Sequence, residues 1–140
     1  MKVYKFGGAS VRSAEGIRNI VSIVSRVNEP LFMVVSAMGK TTNAMEEVLE
    51  HFMKADRDAA FAKLAEVEAY HAGIVQELFG DSPEGMQAMK PLFDEIKAAI
   101  TNGVGDDYDR WYDRLVSYGE LFSTKVVSAY LQKSGVENRW

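Results

Sequence analysis

The sequence contains no cysteine among its 140 residues. Disulfides, thiolate metal sites and cysteine nucleophiles are therefore excluded. It also lacks an apolar run of the roughly 20 residues that a membrane-spanning helix needs. The paired glycines Gly7 and Gly8 come before the apolar core of a signal peptide could form. These absences predict a cytoplasmic protein with no membrane partner.

The sequence also has fewer basic than acidic residues. Lysine and arginine together number 16 against 20 aspartates and glutamates, which gives a net charge of -4. A general nucleic-acid surface requires a basic stripe, so we expect no nucleic-acid partner, while a local basic pocket for phosphate stays compatible with this balance. Hydrophobic residues make up 47% of the chain and charged residues 26%. This composition and length are typical of one globular domain with a core.

The first 35 residues predict a strand–helix–strand unit. Lys2–Phe6 has the pattern of a short strand that ends at a glycine pair. Ser13 is the expected N-cap of the next helix. The apolar residues of that helix recur at helical spacing, namely Ile17, Ile20, Val21, Val24 and Val27. Leu31–Val35 is a continuous apolar run, as expected for a strand covered on both faces.

Four helical stretches follow the second strand. The third of them contains Pro91, which predicts a kink or a later start. The last covers residues 107–133, with a bend near Gly119 and a stop at Gly135. Residues 136–140 look like the approach to a third strand, which predicts a chain cut from a longer protein. A plain doubly wound fold has fewer helices between neighbouring strands. The additional helices predict a helical layer or flap beside the sheet.

The turn after the first strand combines Lys5, paired glycines and the Ser10 hydroxyl ahead of a helix. This layout is typical of an anion site, because glycines let backbone N–H groups approach phosphate and a helix N-terminus favours negative charge. A lone glycine pair is a weak signal, however. An ordinary tight turn, with Lys5 pointing to water, explains the pattern equally well.

The turn after the second strand, residues 36–43, is rich in hydroxyl groups. Residues 39–41 resemble the end of a P-loop, but that motif needs a glycine where Val34 stands. Taken alone, this stretch favours simple N-capping by Thr42 and Asn43 over ligand binding.

Glu120 shares a helical row with apolar residues in the last helical stretch. A carboxylate inside an apolar stripe is costly unless it is paired, so it could hold a ligand ammonium. A salt bridge to Arg114, or a position at the wet edge of the stripe, is an equal alternative. His51 and His71 have no ligand spacing, which favours surface or core roles.

Three separated segments together resemble the aspartokinase family. Residues 5–11, Lys-Phe-Gly-Gly-Ala-Ser-Val, resemble its N-terminal signature, usually written Lys-Phe-Gly-Gly-Thr-Ser-Val. Residues 35–43 look like its second turn, and residues 117–124 are similar to its Gly-Glu helix. The order and spacing match over essentially the whole chain. Ala9 departs from the signature and removes one hydroxyl contact.

The resemblance implies the amino-acid kinase fold, a three-layer α/β/α sandwich. Residues 1–140 would be the N-terminal part of its catalytic domain, truncated, with a large helical portion. The nucleotide half and the regulatory ACT domains would be absent. The implied full-length protein is a homodimer, while the fragment alone would be inactive.

The implied reaction is phosphoryl transfer from ATP, accompanied by Mg²⁺, to the side-chain carboxylate of L-aspartate, toward lysine, threonine and methionine. By the family pattern Lys5 would be catalytic and neutralise the transferring phosphoryl group. The implied ATP and phosphate site consists of Lys5, Phe6, Gly7, Gly8 and Ser10. The implied aspartate site consists of Ser36 and Thr42, with Glu120 for the ammonium. The alternatives are a relative acting on another small acid and a non-catalytic aspartate-binding fragment.

Overall fold

The computed structural model describes all 140 residues and contains two strands and six helices. In chain order these are β1 Lys2–Phe6, α1 Ala14–Val24, β2 Leu31–Val35, α2 Thr41–Met53, α3 Arg57–Phe79, α4 Glu84–Asn102, α5 Tyr108–Val116 and α6 Tyr118–Lys133. The predicted α/β class with a large helical portion is confirmed. None of the helices combines the length and apolar character needed to cross a membrane.

The two strands pair in parallel, with Lys2 opposite Leu31 and Phe6 opposite Val35. The expectation that β2 is covered on both faces is wrong, because Phe32 is 59% exposed and lies beside Val3, which is 62% exposed. Side chains alternate between the faces of a strand, and the helices cover only one face. These residues therefore supply the sheet and one helical layer of the predicted sandwich.

Helix α1 begins as the sequence predicts but ends at Val24, so Val27 lies beyond it. Ser13 is its N-cap, and the Ser13 hydroxyl accepts a hydrogen bond from the Gly16 N–H at 3.1 Å. The apolar row at Ile17, Ile20 and Val24 is buried against the core. The cap and the buried row fix the start of α1 directly after the first turn.

The remaining helices form the predicted helical layer. Helix α3 packs against α2 and α4, and α6 packs against α4 and β2. Helix α4 runs past Pro91 without ending there, since its boundaries are Glu84 and Asn102. Pro91 itself is exposed. The layer brings the start of α6 to the strand ends, where the predicted site residues lie.

The long last stretch is divided in two. The break falls at Ser117, two residues before the predicted bend, and the Ser117 hydroxyl donates to the Asp113 carbonyl at 2.6 Å. The predicted stop is confirmed, since Gly135 has φ of 83° and its N–H donates to the Gln132 carbonyl at 3.0 Å. A left-handed glycine after the last turn is a common helix ending.

The expected third strand at residues 136–140 is wrong, because this segment has no strand structure. It folds back on α6 instead. The Asn138 side chain exchanges hydrogen bonds with Ser128, and the Trp140 indole N–H donates to the Thr124 hydroxyl at 2.9 Å. Side-chain hydrogen bonds therefore hold this segment against α6.

His71 is a core residue, which is one of the two roles that the sequence favours for it. Its side chain is fully buried, and its Nδ1 lies 2.8 Å from the Val67 carbonyl while Nε2 has no partner. The rings of Phe93 and Phe122 pack against it edge-on. Burial lowers the pKa of His71, because removal of the ring from water disfavours the charged imidazolium.

We expect His71 to make the fold sensitive to mild acid. Its pKa is lowered in the folded chain, so the unfolded chain binds the proton more tightly and stability falls as pH drops below about 6.5. The slope should approach about 1.4 kcal/mol per pH unit for one proton. Urea unfolding at several pH values measures it. His71→Met should flatten the curve between about pH 7.5 and 5.5. An unaltered slope in His71→Met would contradict the assignment.

Candidate active site

The two strand-to-helix turns contact each other directly. The Gly39 N–H donates to the Gly8 carbonyl at 3.1 Å. A Cβ on Gly8 would lie 2.8 Å from the Ala37 carbonyl oxygen, so only glycine allows this approach. The turns meet because both follow the carboxyl ends of neighbouring parallel strands, the edge where ligands bind in such sheets.

The first turn leaves several backbone donors unused. The Ser10 N–H donates to the Gly7 carbonyl at 2.9 Å and closes the turn. The N–H groups of Gly7, Gly8 and Ala9 donate no hydrogen bond within the chain. A Cβ on Gly7 would meet nothing within 4 Å, so the space beside these donors is open. Consecutive free N–H groups in an open turn can bind an anion, which favours the anion-site interpretation.

Lys5 and Ser10 are both available to a ligand. Lys5 lies on the exposed face of β1 opposite Val34, and it forms no ion pair. The exposed Ser10 hydroxyl has no hydrogen-bond partner in the chain. Phe6 differs, because its side chain is buried and its carbonyl accepts the Ser36 N–H at 2.9 Å. Phe6 therefore supports the turns from the core.

The second turn is not capped in the expected way. The N-cap of α2 is Lys40, which makes no side-chain cap, and Thr42 and Asn43 lie inside the first helical turn. The capping interpretation of those two residues is therefore wrong. Their backbone N–H groups and the Ser36 and Thr42 hydroxyls have no partner within the chain. The positive end of α2 thus carries unused donors beside the first turn.

The start of α6 docks on the second turn. A Cβ on Gly119 would lie 3.1 Å from the Ala37 Cβ and 3.5 Å from the Thr41 Cγ2. One helical turn later, the Ser123 hydroxyl donates to the Ser36 carbonyl at 2.7 Å. These two attachments bring Glu120, which lies between them on the helix, next to the second turn.

Glu120 itself is exposed, so the expectation of a carboxylate buried in an apolar stripe is wrong. It sits at the wet edge of that stripe, because neighbouring Gly119 rather than Glu120 faces the second turn. It forms no salt bridge with Arg114, whose guanidinium lies over the Trp111 ring at 4.9 Å. The Glu120 carboxylate has no cationic partner in the chain and can accept a ligand ammonium.

Two tyrosines near the site form contacts that the sequence did not predict. The Tyr70 hydroxyl donates to the Arg12 carbonyl at 2.6 Å and ties α3 to the first turn. The Tyr112 hydroxyl donates to the Glu46 carboxylate at 2.8 Å. This hydrogen bond raises the pKa of Tyr112, and the charge of nearby Glu120 adds to the effect. Their partners lie 58 and 66 residues away, so no local pattern could indicate either contact.

Three cationic residues without ion-pair partners surround the turns, namely Lys5, Arg12 and Lys40. The Arg12 Cβ lies 3.5 Å from the position of a Cβ on Gly39, and Lys40 is the next residue of that turn. In a chain of net charge -4 this is a local excess of positive charge. It supports attraction of an anionic ligand to the turns.

Plant aspartokinases are among the curated relatives. The chain is 32% identical over 140 residues to aspartokinase 1, chloroplastic, of Arabidopsis thaliana, with 98% of this chain and 24% of the relative covered. It is 30% identical over 144 residues to the bifunctional aspartokinase/homoserine dehydrogenase 1, chloroplastic, of the same plant, with 99% and 16% covered. The chain thus spans about a quarter or less of the length of these relatives.

A solved structure shows the same fold. The crystal structure of Escherichia coli aspartokinase III in complex with aspartate and ADP superposes with a TM-score of 0.83 at 24% identity, covering 100% of this chain and 30% of that one. The amino-acid kinase fold predicted from the resemblance is therefore confirmed, in truncated form. The sequence model of the amino acid kinase family matches residues 1–140. Because that match covers every residue, the chain belongs to the amino acid kinase family.

Proposed function

We propose that these residues form the N-terminal part of an aspartate kinase, which transfers a phosphoryl group from ATP to the side-chain carboxylate of L-aspartate. The observation that carries the proposal is the meeting of three segments, residues 5–11, 35–43 and 117–124, at one site. The Gly39–Gly8 hydrogen bond and the Ser123–Ser36 hydrogen bond join them. The aspartokinase relatives and the aspartate and ADP bound by E. coli aspartokinase III support the same reaction.

The first turn would hold the phosphates of ATP. The free N–H groups of Gly7 and Gly8 and the Ser10 hydroxyl would donate to phosphate oxygens, and the Lys5 ammonium would neutralise the transferring group. When bound, ATP supplies the phosphoryl group and Mg²⁺ screens the phosphate charges. No three acidic or histidine side chains of the chain converge on one point.

The second turn and α6 would hold the amino acid. The hydroxyls of Ser36 and Thr42 would donate to its carboxylates, and Glu120 would accept its ammonium. A carboxylate is already a nucleophile, so the residues need only orient it toward the phosphorus and neutralise charge. The turn–turn contact supports this arrangement, because it brings the two sets of donors side by side.

The test is ADP release with Mg-ATP and L-aspartate, measured on the 140-residue chain and on the full-length protein that contains it. We expect aspartate-dependent ADP from the full-length protein and none from the 140-residue chain. Absence of aspartate-dependent ADP from the full-length protein would overturn the proposal. It would favour a relative that phosphorylates another small acid.

A non-catalytic aspartate-binding chain is the second candidate. It is favoured by the small share of the relatives that the chain covers, 16% and 24% of their lengths. Aspartate binding without ADP formation by the full-length protein would support it. Homodimer formation and a cytoplasmic location stay predictions, and the plant relatives are chloroplastic by name.

Glu120→Gln should weaken aspartate binding selectively, because it removes the charge that would pair with the ammonium. We expect the KM for aspartate to rise about 10- to 100-fold, with the KM for ATP nearly unchanged. Succinate, which lacks the ammonium, should inhibit both proteins equally. Glu50→Gln, at an exposed position on α2, is the matched control and should behave like the unaltered protein. An equal loss of aspartate and succinate affinity would contradict the role given to Glu120.

A further inference from the structure

The Ser123 side chain lies at the junction of the two proposed aspartate-binding segments. It is fully buried, and its Oγ is 2.7 Å from the Ser36 carbonyl and 3.1 Å from the Glu120 carbonyl. One buried hydroxyl therefore touches the backbones of two residues that are proposed to bind opposite ends of the same ligand. These residues lie 84 positions apart (120 minus 36) in the sequence.

The hydroxyl has one hydrogen to donate. The Glu120 carbonyl is already an acceptor for the Thr124 hydroxyl at 2.8 Å, whereas the Ser36 carbonyl has no other donor in the chain. The shorter distance also favours Ser36. We therefore assign the Ser123 hydrogen to the Ser36 carbonyl. Ser36 is then held from both sides, since its N–H donates to the Phe6 carbonyl of β1 at 2.9 Å.

We infer that Ser123 is a positioning residue, which sets the separation between the Ser36 hydroxyl and the Glu120 carboxylate. This inference rests on the proposed function. Gly119 and Ser123 are one helical turn apart and attach α6 to the second turn at two points, with Glu120 between them. Removing one attachment lets α6 shift relative to Ser36. The shift should weaken the binding of a ligand that bridges the two residues. It should leave unchanged the binding of a ligand that contacts only the Ser36 side.

The chain provides a matched control on the same helix. Ser128 donates to the Asn138 side chain at 2.6 Å, five residues further along α6 and away from the two turns. Ser123→Ala and Ser128→Ala each remove one side-chain hydrogen bond from α6. If the hydrogen bonds only stabilise α6, the two variants should have the same KM for aspartate. If Ser123 positions the site, only Ser123→Ala should have a raised KM for aspartate.

The experiment is steady-state kinetics of the full-length protein with aspartate and ATP, with succinate as a competing ligand that lacks the ammonium. For Ser123→Ala we expect the KM for aspartate to rise about fivefold, the loss of one modest hydrogen bond. The KM for ATP and the inhibition constant of succinate should stay within about twofold. Ser128→Ala should leave all three constants unchanged.

The outcomes distinguish a failure of the proposed function from a failure of the positioning role. An unaltered protein that releases no aspartate-dependent ADP would overturn the proposed function. If that protein is active and Ser123→Ala matches Ser128→Ala, the positioning role alone is overturned. An equal weakening of aspartate, succinate and ATP in Ser123→Ala would also overturn it, because that is general loosening. Should Ser123→Ala fail to fold, Ser123→Cys provides the test with a weaker donor of similar shape, and unchanged aspartate KM in it would overturn the role.

Discussion

Replacing Lys5 with alanine is expected to lower aspartate-dependent ADP release by the full-length protein about 10²- to 10³-fold, the usual effect of losing one charge-stabilising donor. The physical reason is the position of Lys5 two residues before the open glycine turn, without an ion-pair partner of its own. The loss should fall on kcat, because the lysine would act on charge that develops at the phosphoryl group during transfer.

The same strand provides the control for this prediction. Lys2 also lies on β1, but its ammonium pairs with the Glu29 carboxylate at 2.9 Å, at the strand end remote from the turns. Lys2→Ala should therefore leave kcat unchanged and alter stability by less than about 1 kcal/mol, since exposed ion pairs contribute little. Equal activity losses in the two variants would show that β1 tolerates neither change. That result would remove the reason to give Lys5 a special role.

Local sequence patterns were sufficient where neighbours in the chain determine the structure. The Ser13 cap, the glycine ending at Gly135 and the bounds of both strands depend on residues a few positions apart. The resemblance of three separated segments added what no single pattern contains, namely that these segments meet. The Gly39–Gly8 and Ser123–Ser36 hydrogen bonds join the three segments.

Three of the misses, at β2, Glu120 and Ser123, have a common cause, because each depends on contacts between distant parts of the chain. An apolar run such as β2 does not reveal whether one face or both faces are covered, so Phe32 was assigned a buried position. The exposure of Glu120 follows from the side of α6 on which Gly119 docks, which helical spacing alone does not give. The Ser123 hydroxyl was overlooked because its acceptor lies 87 residues away.

Gly8→Ala is expected to destabilise the 140-residue chain by about 2–4 kcal/mol, from overpacking together with the loss of a hydrogen bond. The added Cβ would lie 2.8 Å from the Ala37 oxygen and 3.2 Å from the Gly39 oxygen. Both are backbone atoms, so neither can move aside as a flexible side chain would. The turns would separate, and the Gly39–Gly8 hydrogen bond would lengthen or break. Urea unfolding of the chain measures the change in the free energy of unfolding.

Gly7→Ala provides the contrast, because a Cβ at Gly7 would meet nothing within 4 Å and its φ is not in the left-handed region. Its stability should stay within about 0.5 kcal/mol of the unaltered chain. In the full-length protein, however, the new methyl group would occupy the open space beside the free N–H groups and should lower activity. The two neighbouring glycines would then have different roles. Gly8 would be required for the contact between the turns, and Gly7 for access of phosphate. Equal destabilisation by the two substitutions would contradict the close turn–turn contact on which the whole site depends.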